Sequence, residues 1–261
     1  MQFKNIVFER RDGVAVIKLN RPKEFNAFNY ELFDDFIKAL EFCADDHETK
    51  VVVIGAEGRA FSGGGDVLLF KSTPDAGDTL RQLIKLMNTT IITIRRMPKP
   101  VIAMINGITA GGGMSLAAAC DLRVCAASAK FRQAYLGSGL VPDGGWTLLV
   151  PLLVGFGKAA ELVFLDPVIN AKEALDMGLV TKVVEDGDLE KATMEIALQL
   201  AKGPSISYAL VKKNLNHAFF GLLESQLELE RESMTYAGRT EDVKEGLAAF
   251  AEKRKPNFTG R

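Results

Sequence analysis

Two glycine triplets, each just beyond an apolar strand, constrain the fold of this chain more than any other feature. Residues 111–113 are all glycine; they follow the apolar strand Val101–Ile105 and open an Ala/Leu-rich helix at residues 114–120. Residues 63–65 are also glycine and follow a second apolar strand, Val51–Ala56. Because glycine has no Cβ and the first amides of a helix lack intrahelical partners, such turns let another group approach free N–H donors. The pair therefore predicts either tight turns packed beneath a buried helix or two donors aimed at one oxygen, an oxyanion hole.

The composition argues against several classes of function. The 261 residues are 48% hydrophobic and 25% charged, which are ordinary values for a globular chain. The net charge of −1 gives no reason to expect nucleic acid or an anionic membrane as the main partner. Three cysteines without a CxxC spacing predict buried, reduced thiols, and the sequence shows no signal peptide or membrane span, so we expect a cytoplasmic protein. His47 and His217 have no neighbours at ligand spacing, so no metal site is predicted.

The order strand, strand, helix recurs along the first part of the chain and predicts an α/β fold. Residues 6–9 and 14–19 are expected to form a hairpin around Asp12-Gly13, and Asn29 is expected to cap a helix that runs through residue 44. The sequence contains no GxxxxGK[ST] motif and no GxGxxG between a strand and a helix, which disfavours a nucleotide-binding fold. Further predicted elements are a loop at 71–78, a helix at 79–96, strands at 122–126 and 179–184, and helices at 158–165, 171–177, 189–202, 205–220, 222–237 and 242–253.

Several short motifs are spread over essentially the whole chain. They are Asn20-Arg21-Pro22, residues 60–66 (AFSGGGD), Gly107 with residues 111–113, Cys120-Asp121, Phe131, residues 139–145 (GLVPDGG) and residues 250–254 (FAEKR). As a set they resemble the motifs of the crotonase superfamily, the enoyl-CoA hydratase/isomerase family, and most closely those of its single-aspartate isomerases of the phenylacetate-degradation type. The resemblance implies a crotonase-like spiral of ββα units at residues 1–200 and a C-terminal helical trimerisation region at residues 201–261. It also implies an acyl-CoA substrate, so that coenzyme A is part of the thioester and no separate cofactor is expected, and a homotrimer or a dimer of trimers.

In this family two backbone amides hold the carbonyl oxygen of the thioester, and the resemblance places them on Gly63 and Gly112. A C-terminal cation, Lys253 or Arg254, is expected to reach the phosphates of coenzyme A. Each basic residue is also compatible with a solvated surface charge. The resemblance implies further contacts with the substrate or with coenzyme A from Arg21, Lys23, Phe25, Ala60, Ser62, Gly64, Asp66 and Val67.

Two positions that hold catalytic glutamates in the family's hydratases hold other residues here. Ser115 lies two residues after the second glycine triplet, and Tyr135 lies four residues after Phe131. Neither is an obvious base near neutral pH, since an unperturbed tyrosine titrates near ~10. The chain therefore resembles a hydratase in scaffold but departs from it in chemistry. Tyr135 is interpreted either as a core aromatic residue or as a lid of the pocket.

One carboxylate, Asp143, lies in a Pro-Asp-Gly-Gly sequence that resembles the single-aspartate isomerases. A shift of the double bond from C3 to C2 moves a proton from C2 to C4 on one face of a dienolate, so a single base can remove and return it. Asp143 is the predicted base. A structural alternative is that Asp143 caps the following apolar helix, and the two roles are compatible. Trp146, where the family usually has a small residue, is either a core residue or a wall of the acyl site.

The predicted function is therefore an enoyl-CoA Δ3-Δ2 isomerase, and three alternatives stand beside it. In the first, Asp143 is a nucleophile, as in the family's 4-chlorobenzoyl-CoA dehalogenases, but Tyr135 stands where those have a pocket tryptophan. In the second, Asp143 activates water in an atypical hydratase or ring hydrolase. In the third, the protein only binds acyl-CoA or RNA; the near-neutral charge disfavours RNA, and the intact glycine turns with Asp143 disfavour a loss of catalysis.

Overall fold

The computed structural model describes residues 3–71, 73 and 75–261 and has a mixed α/β architecture. In chain order the strands are β1 (Ile6–Arg11), β2 (Val14–Leu19), β3 (Val51–Ala56), β4 (Ala60–Ser62), β5 (Val101–Ile105), β6 (Ile108–Ala110), β7 (Leu122–Ala126), β8 (Lys130–Arg132), β9 (Ile169–Asn170) and β10 (Lys182–Val184). The helices are α1 (Tyr30–Asp45), α2 (Val67–Lys71), α3 (Ala76–Arg96), α4 (Gly112–Ala119), α5 (Trp146–Val154), α6 (Phe156–Leu165), α7 (Ala171–Asp176), α8 (Leu189–Ala201), α9 (Ser205–Phe219), α10 (Leu223–Ala237) and α11 (Glu241–Glu252).

A six-stranded sheet in the order β1-β2-β3-β5-β7-β10 carries most of the core. The strands β1 and β2 form the predicted antiparallel hairpin, and the remaining pairs are parallel. Alternate side chains of the central strands point to opposite faces: Val52 and Ile54 join the cluster that includes α1 and α3, whereas Val51 and Val53 join the cluster that includes α8. Because both faces are covered, these strands are apolar along their whole length, as expected for parallel strands between helices.

A second, four-stranded sheet in the order β4-β6-β8-β9 positions the candidate site. Strands β4, β6 and β8 are parallel, so their carboxyl ends lie at one edge of this sheet. Both glycine triplets follow these strands, the first after β4 and the second after β6. The sequence does not indicate this sheet, because β4, β6 and β8 span three residues each and such short segments show no usable periodicity.

Most predicted elements are confirmed, with shifted ends. Helix α3 begins at Ala76 rather than at residue 79, because the Asp75 side chain caps it by accepting a hydrogen bond from the Asp78 amide (3.0 Å). The strand expected at 179–184 is limited to Lys182–Val184, since the Val180 amide donates to the carbonyl of Ala174 instead (3.2 Å). Ser72 and Pro74 of the loop expected at 71–78 lie outside the described residues. The division of the chain at residue 200 stays a prediction.

A buried ion network fastens α9 to the rest of the fold. The Lys212 ammonium donates to Asp121 Oδ2 (2.7 Å) and to the carbonyl of Ile94 (2.8 Å). Arg95 donates to the other oxygen of the same carboxylate, Asp121 Oδ1, at 2.9 Å. Burial lowers the pKa of Lys212, and the neighbouring Asp121 carboxylate opposes that change. The network therefore joins the predicted C-terminal region to the segment that contains β5 and α4.

Removing the Lys212 charge is expected to destabilise the fold. Lys212→Met should lower the free energy of unfolding by about 2 kcal/mol, since it takes one partner from a buried carboxylate that still keeps its bond with Arg95. Denaturant melts of this variant and of Lys213→Met, which changes an exposed neighbour on the same helix, measure the effect. Equal midpoints for the two variants would show that the network does not stabilise the fold.

In the part of the chain that the structure describes, we find no helix long and apolar enough to cross a bilayer. Cys43, Cys120 and Cys125 are buried and unpaired, as the sequence predicts.

Candidate active site

The two glycine turns touch each other through their backbones at the edge of the smaller sheet. The parallel register pairs Ser62 of β4 with Thr109 of β6, so both turns leave the sheet at the same level. Gly64 has φ +90°, and a Cβ there would lie 3.0 Å from the carbonyl oxygen of Ala110 and 3.3 Å from the amide nitrogen of Gly112. Only glycine combines this backbone conformation with so close an approach.

The backbone hydrogen bonds correct the predicted pair of oxyanion donors. The Gly63 amide donates to the carbonyl of Phe25 at 2.8 Å, and the Gly64 amide donates to Ser62 Oγ at 3.1 Å. Neither amide is therefore free to hold a substrate oxygen, and the prediction for Gly63 is wrong. The sequence shows three consecutive glycines, but it does not show which of their amides is already bonded.

The amides of Gly65 and Gly112 are free donors of the two turns. Gly65 forms a parallel bridge with Phe28, whose amide donates to Gly64 and whose carbonyl accepts from Asp66. In such a bridge the middle residue directs its own N–H to the opposite side, away from Phe28. Gly112 is the first residue of α4, where an amide has no intrahelical acceptor. Within the described residues, no hydrogen bond uses either of these N–H groups.

A cavity of about 80 Å³ lies in front of both turns. Gly65, Gly112, Tyr135 and Asp143 are among the residues that line it. An apolar cavity with a few convergent polar groups is the usual form of a small-molecule site. The remaining wall is mostly apolar and includes Phe28, Phe33, Val67, Phe70, Leu80, Leu83, Ile84, Met87, Leu140 and Met234.

Asp143 lies in the turn before α5 and contacts both residues that replace the hydratase glutamates. Its Oδ1 accepts a hydrogen bond from the Tyr135 hydroxyl at 2.7 Å. Its backbone carbonyl accepts one from Ser115 Oγ, also at 2.7 Å. Burial raises the pKa of Asp143 to about 6, and the hydrogen bond from Tyr135 opposes that change because it favours the ionised form. The carboxylate therefore titrates close to the pH at which a general base operates.

Tyr135 is at once a core residue and a wall of the cavity. Only 6% of it is exposed, yet it faces the cavity beside Asp143. Burial, followed by the charge of Asp143, raises the pKa of Tyr135 well above its ordinary value. The phenol therefore stays protonated at neutral pH and remains a hydrogen-bond donor to the carboxylate. Both sequence interpretations of Tyr135 hold at the same time.

The side chain that caps α5 belongs to Glu230, not to Asp143. Glu230 lies on α10 and accepts from the amides of Gly145 (2.7 Å) and Thr147 (2.9 Å). Burial raises its pKa to about 7, against the lowering effect of these bonds. Glu230 was not among the residues predicted from the sequence, although the sequence carries a signal for it. It shares one helical face with Leu223, Leu227 and Met234, all of which are buried, so it is a glutamate on an apolar stripe.

Trp146 is a core residue and does not line the cavity. Its side chain is 2% exposed at the start of α5. The indole Nε1 is buried and has no hydrogen-bond partner in the described part of the chain. The alternative that Trp146 forms a wall of the acyl site is therefore wrong.

Several residues expected to contact coenzyme A have internal partners. Arg21 forms an ion pair with Asp66 (3.1 Å) and also donates to the carbonyl of Ala27. Ser62 is fully buried, and its hydroxyl donates to the carbonyl of Asn26 at 2.9 Å. Asn26 was not singled out by the sequence.

The remaining predicted contacts differ in accessibility. Lys23 is exposed, the Phe25 ring stacks under the Arg59 guanidinium at 4.2 Å, and Gly64 and Val67 line the cavity. Ala60 is 1% exposed, so only its backbone is available to a ligand. The role of these residues in binding coenzyme A stays a prediction.

Two further predictions concern the C-terminus and metals. Arg254 forms ion pairs with Glu245 (2.5 Å) and Glu252 (2.6 Å), so a phosphate would have to compete with two carboxylates for it. Lys253 ends α11 in a left-handed conformation and is exposed. A contact of Lys253 or Arg254 with the phosphates of coenzyme A stays a prediction.

Among the described residues, no group of three or more His, Cys, Asp or Glu side chains is arranged to hold a metal ion.

The chain is similar to known proteins along its whole length. The family model for enoyl-CoA hydratase/isomerase matches residues 9–261. The chain is 34% identical to trans-2-decenoyl-[acyl-carrier-protein] isomerase of Streptococcus mutans, with 100% of both chains covered. It is 35% identical to 1,2-epoxyphenylacetyl-CoA isomerase of Escherichia coli, over 95% of this chain and 96% of the relative. It is 34% identical to crotonyl-CoA hydratase of Syntrophomonas wolfei, again over 100% of both.

The fold is similar to that of solved structures as well. An enoyl-CoA hydratase from Mycobacterium avium subsp. paratuberculosis superposes with a TM-score of 0.90 at 32% identity, covering 99% of this chain and 100% of the other. The named relatives thus include both isomerases and hydratases that share this scaffold.

Proposed function

Because this chain belongs to the enoyl-CoA hydratase/isomerase family, within the crotonase superfamily, we propose that it is an enoyl-CoA Δ3-Δ2 isomerase with Asp143 as its base. The observation that carries the proposal is the set of groups around the cavity. Asp143 is the one carboxylate among the described residues that line it, and the two hydratase positions hold Ser115 and Tyr135, which hydrogen-bond to Asp143.

The reaction follows from two amides and one carboxylate. The thioester oxygen accepts hydrogen bonds from the Gly65 and Gly112 amides, which stabilise the negative charge of the enolate. Asp143 removes a proton from C2 of a 3-enoyl thioester, and the electron pair of that bond moves into the dienolate. The protonated Asp143 then returns the proton to C4, which leaves the double bond between C2 and C3. The substrate is isomerised without gain or loss of atoms.

An atypical hydratase with Asp143 activating water is the second candidate, because relatives of equal similarity are named as hydratases. A hydratase adds water across the double bond and needs one group to activate water and another to protonate carbon. Here the second group would have to be Tyr135, whose raised pKa makes it a weak acid. A dehalogenase-type nucleophile is less favoured, since Tyr135 stands where that class has a pocket tryptophan.

The experiment that tests the proposal compares thioester substrates by the mass of their products. The purified protein is incubated with 3-enoyl-CoA, 2-enoyl-CoA and aryl-CoA thioesters, and the products are followed by mass and ultraviolet absorbance. An isomerase gives a product of unchanged mass that absorbs as a conjugated thioester. A mass gain of one water from the 2-enoyl-CoA, without isomerisation of the 3-enoyl-CoA, would establish the hydratase instead. The same panel with an acyl-carrier-protein thioester tests which carrier is preferred.

The hydrogen bond between Tyr135 and Asp143 predicts the pH dependence of activity. The base must be ionised, so kcat/KM should rise with pH through the pKa of Asp143, about 6, and level off above it. Tyr135→Phe removes a hydrogen bond that favours the ionised carboxylate, so the acid limb should move to higher pH. Steady-state rates between pH 4.5 and 9 measure both curves. An unchanged acid limb in Tyr135→Phe would show that this bond does not tune the base.

We also propose a homotrimer or a dimer of trimers in the cytoplasm, with no nucleic-acid or membrane partner. Several large apolar side chains of α6 and α9 are exposed in the single chain and need a surface to cover them. Light scattering in solution measures the assembly, and a monomer would contradict the proposal. The exposed side chains are Phe156, Phe164, Leu165, Ile206, Leu210 and Phe219.

A further inference from the structure

Glu230 brings a buried carboxylate from the C-terminal helices to the turn that contains Asp143. It is 4% exposed, and both of its oxygens accept hydrogen bonds. Oε2 accepts from the Gly145 amide at 2.7 Å, and Oε1 accepts from the Thr147 amide at 2.9 Å and from the Thr147 hydroxyl. These partners lie two and four residues beyond Asp143 in the chain. The carboxylate therefore fixes the backbone immediately after the proposed base.

The conformation of the turn explains why this cap comes from so far away. Gly144 and Gly145 have φ values of +62° and +81°, a left-handed conformation that favours glycine over any residue with a polar side chain. At Gly144 a Cβ would also lie 2.8 Å from the Met87 side chain. Gly145 occupies the N-cap position of α5 and has no side chain to cap it. By contrast, α1, α3, α7 and α11 are capped by their own N-cap residues, Asn29, Asp75, Asn170 and Thr240.

The turn is held from two sides. On the α4 side, Ser115 donates to the Asp143 carbonyl, which also accepts from the Trp146 amide. On the α10 side, Glu230 accepts from the amides of Gly145 and Thr147. A carboxylate that faces the cavity from a turn of two glycines has little backbone rigidity of its own. A misplacement of 1 Å at a reacting group can cost on the order of 100-fold in rate.

We propose that Glu230 is a positioning residue, which holds Asp143 at the distance from the substrate that proton transfer requires. The proposal rests on the proposed function, because it takes Asp143 as the base. Glu230 does not line the cavity, so it acts through the turn and not on the substrate. Its two oxygens accept hydrogen bonds from the two backbone N–H groups at the same time. A glutamine side chain has the same size but only one acceptor oxygen, so it cannot accept from both.

Glu230→Gln tests this with a minimal change of shape. Glutamine has one acceptor oxygen and an NH₂ group, so one of the two turn amides would face a donor instead of an acceptor. We expect kcat for a 3-enoyl-CoA to fall by about 10- to 100-fold while the affinity for a saturated acyl-CoA changes by less than about 3-fold. Glu232→Gln, an exposed glutamate on the same helix, should retain the parent kcat. Circular dichroism and the melting temperature establish that each variant is folded.

Glu230→Asp provides a second variant, because it retains both acceptor oxygens on a side chain that is one methylene shorter. It should lower kcat by less than Glu230→Gln does. If folded Glu230→Gln turns over at the parent rate, the proposal is wrong, whereas a parent rate in Glu230→Asp alone would support it.

A double mutant separates positioning of the base from a general loss of structure. In the Asp143→Asn background, Glu230→Gln should change the residual kcat by less than about 2-fold, since there is no base left to position. An equal fractional loss in both backgrounds would show that Glu230 acts independently of Asp143 and would overturn the inference. A different result, parent-like activity of the Asp143→Asn single variant, would disprove the proposed function. Loss of activity in Asp143→Asn, with parent rates in both Glu230 variants, would overturn only the positioning role.

Discussion

Asp143→Asn is expected to lower the turnover of a 3-enoyl-CoA by roughly 100- to 10,000-fold, the range that general-base catalysis contributes. Asparagine has the same size, and its amide oxygen can still accept the hydrogen bond from Tyr135, so folding should survive. It cannot accept the C2 proton. Affinity for a saturated acyl-CoA should persist, because the amides of Gly65 and Gly112 are unchanged. Turnover, acyl-CoA affinity and melting temperature measured together distinguish loss of the base from loss of structure.

Ser115→Ala is the matched control for the base. Ser115 donates to the backbone carbonyl of Asp143 and has no proton to transfer in the proposed reaction. The loss of one neutral hydrogen bond corresponds to about 1 kcal/mol, or roughly a 5-fold effect. Near-parent turnover in Asp143→Asn would disprove the one-base mechanism. If Ser115→Ala were the variant that abolished activity, the proton path would pass through the hydratase position.

The sequence predicted the elements of the larger sheet and most of the long helices, because long apolar segments carry a strong periodic signal. The hairpin β1–β2, the strand β3 and the helix α1 with its Asn29 cap are examples. The four C-terminal helices were also placed within one or two residues at their ends. The smaller sheet was not predicted, since its three-residue strands are specified by pairing with distant segments and not by their own pattern.

The difference between features set by a local sequence pattern and features set by contact with distant segments also explains the outcome for the candidate site. Glycine triplets after apolar strands predicted where free amides would occur, but the choice between Gly63 and Gly65 depends on Phe25, which lies 38 residues earlier and accepts from Gly63. The loss of both glutamates at Ser115 and Tyr135 was visible in the sequence. Their contacts with Asp143 were not, because those contacts arise from the three-dimensional approach of α4, β8 and the turn before α5.

Substitution of Gly112 tests the oxyanion hole, the other half of the proposed mechanism. Gly112→Pro removes the N–H that we assign to the thioester oxygen. Gly112 is the first residue of α4, and proline is well tolerated there because that amide has no intrahelical acceptor and the fixed φ suits a helix start. Loss of one oxyanion donor should lower kcat by about 100- to 1,000-fold.

Gly112→Ala is the control that keeps the donor. A Cβ at this position would lie 3.3 Å from the Phe28 ring, and alanine and proline both introduce that carbon. The alanine variant therefore reports the cost of the Cβ contact alone, and the ratio of the two rates reports the replacement of the N–H group by the proline ring carbon on nitrogen. We expect that ratio to be about 100 or more. If both variants are folded and equally active, the amide of Gly112 does not stabilise the enolate, and the oxyanion must be held elsewhere.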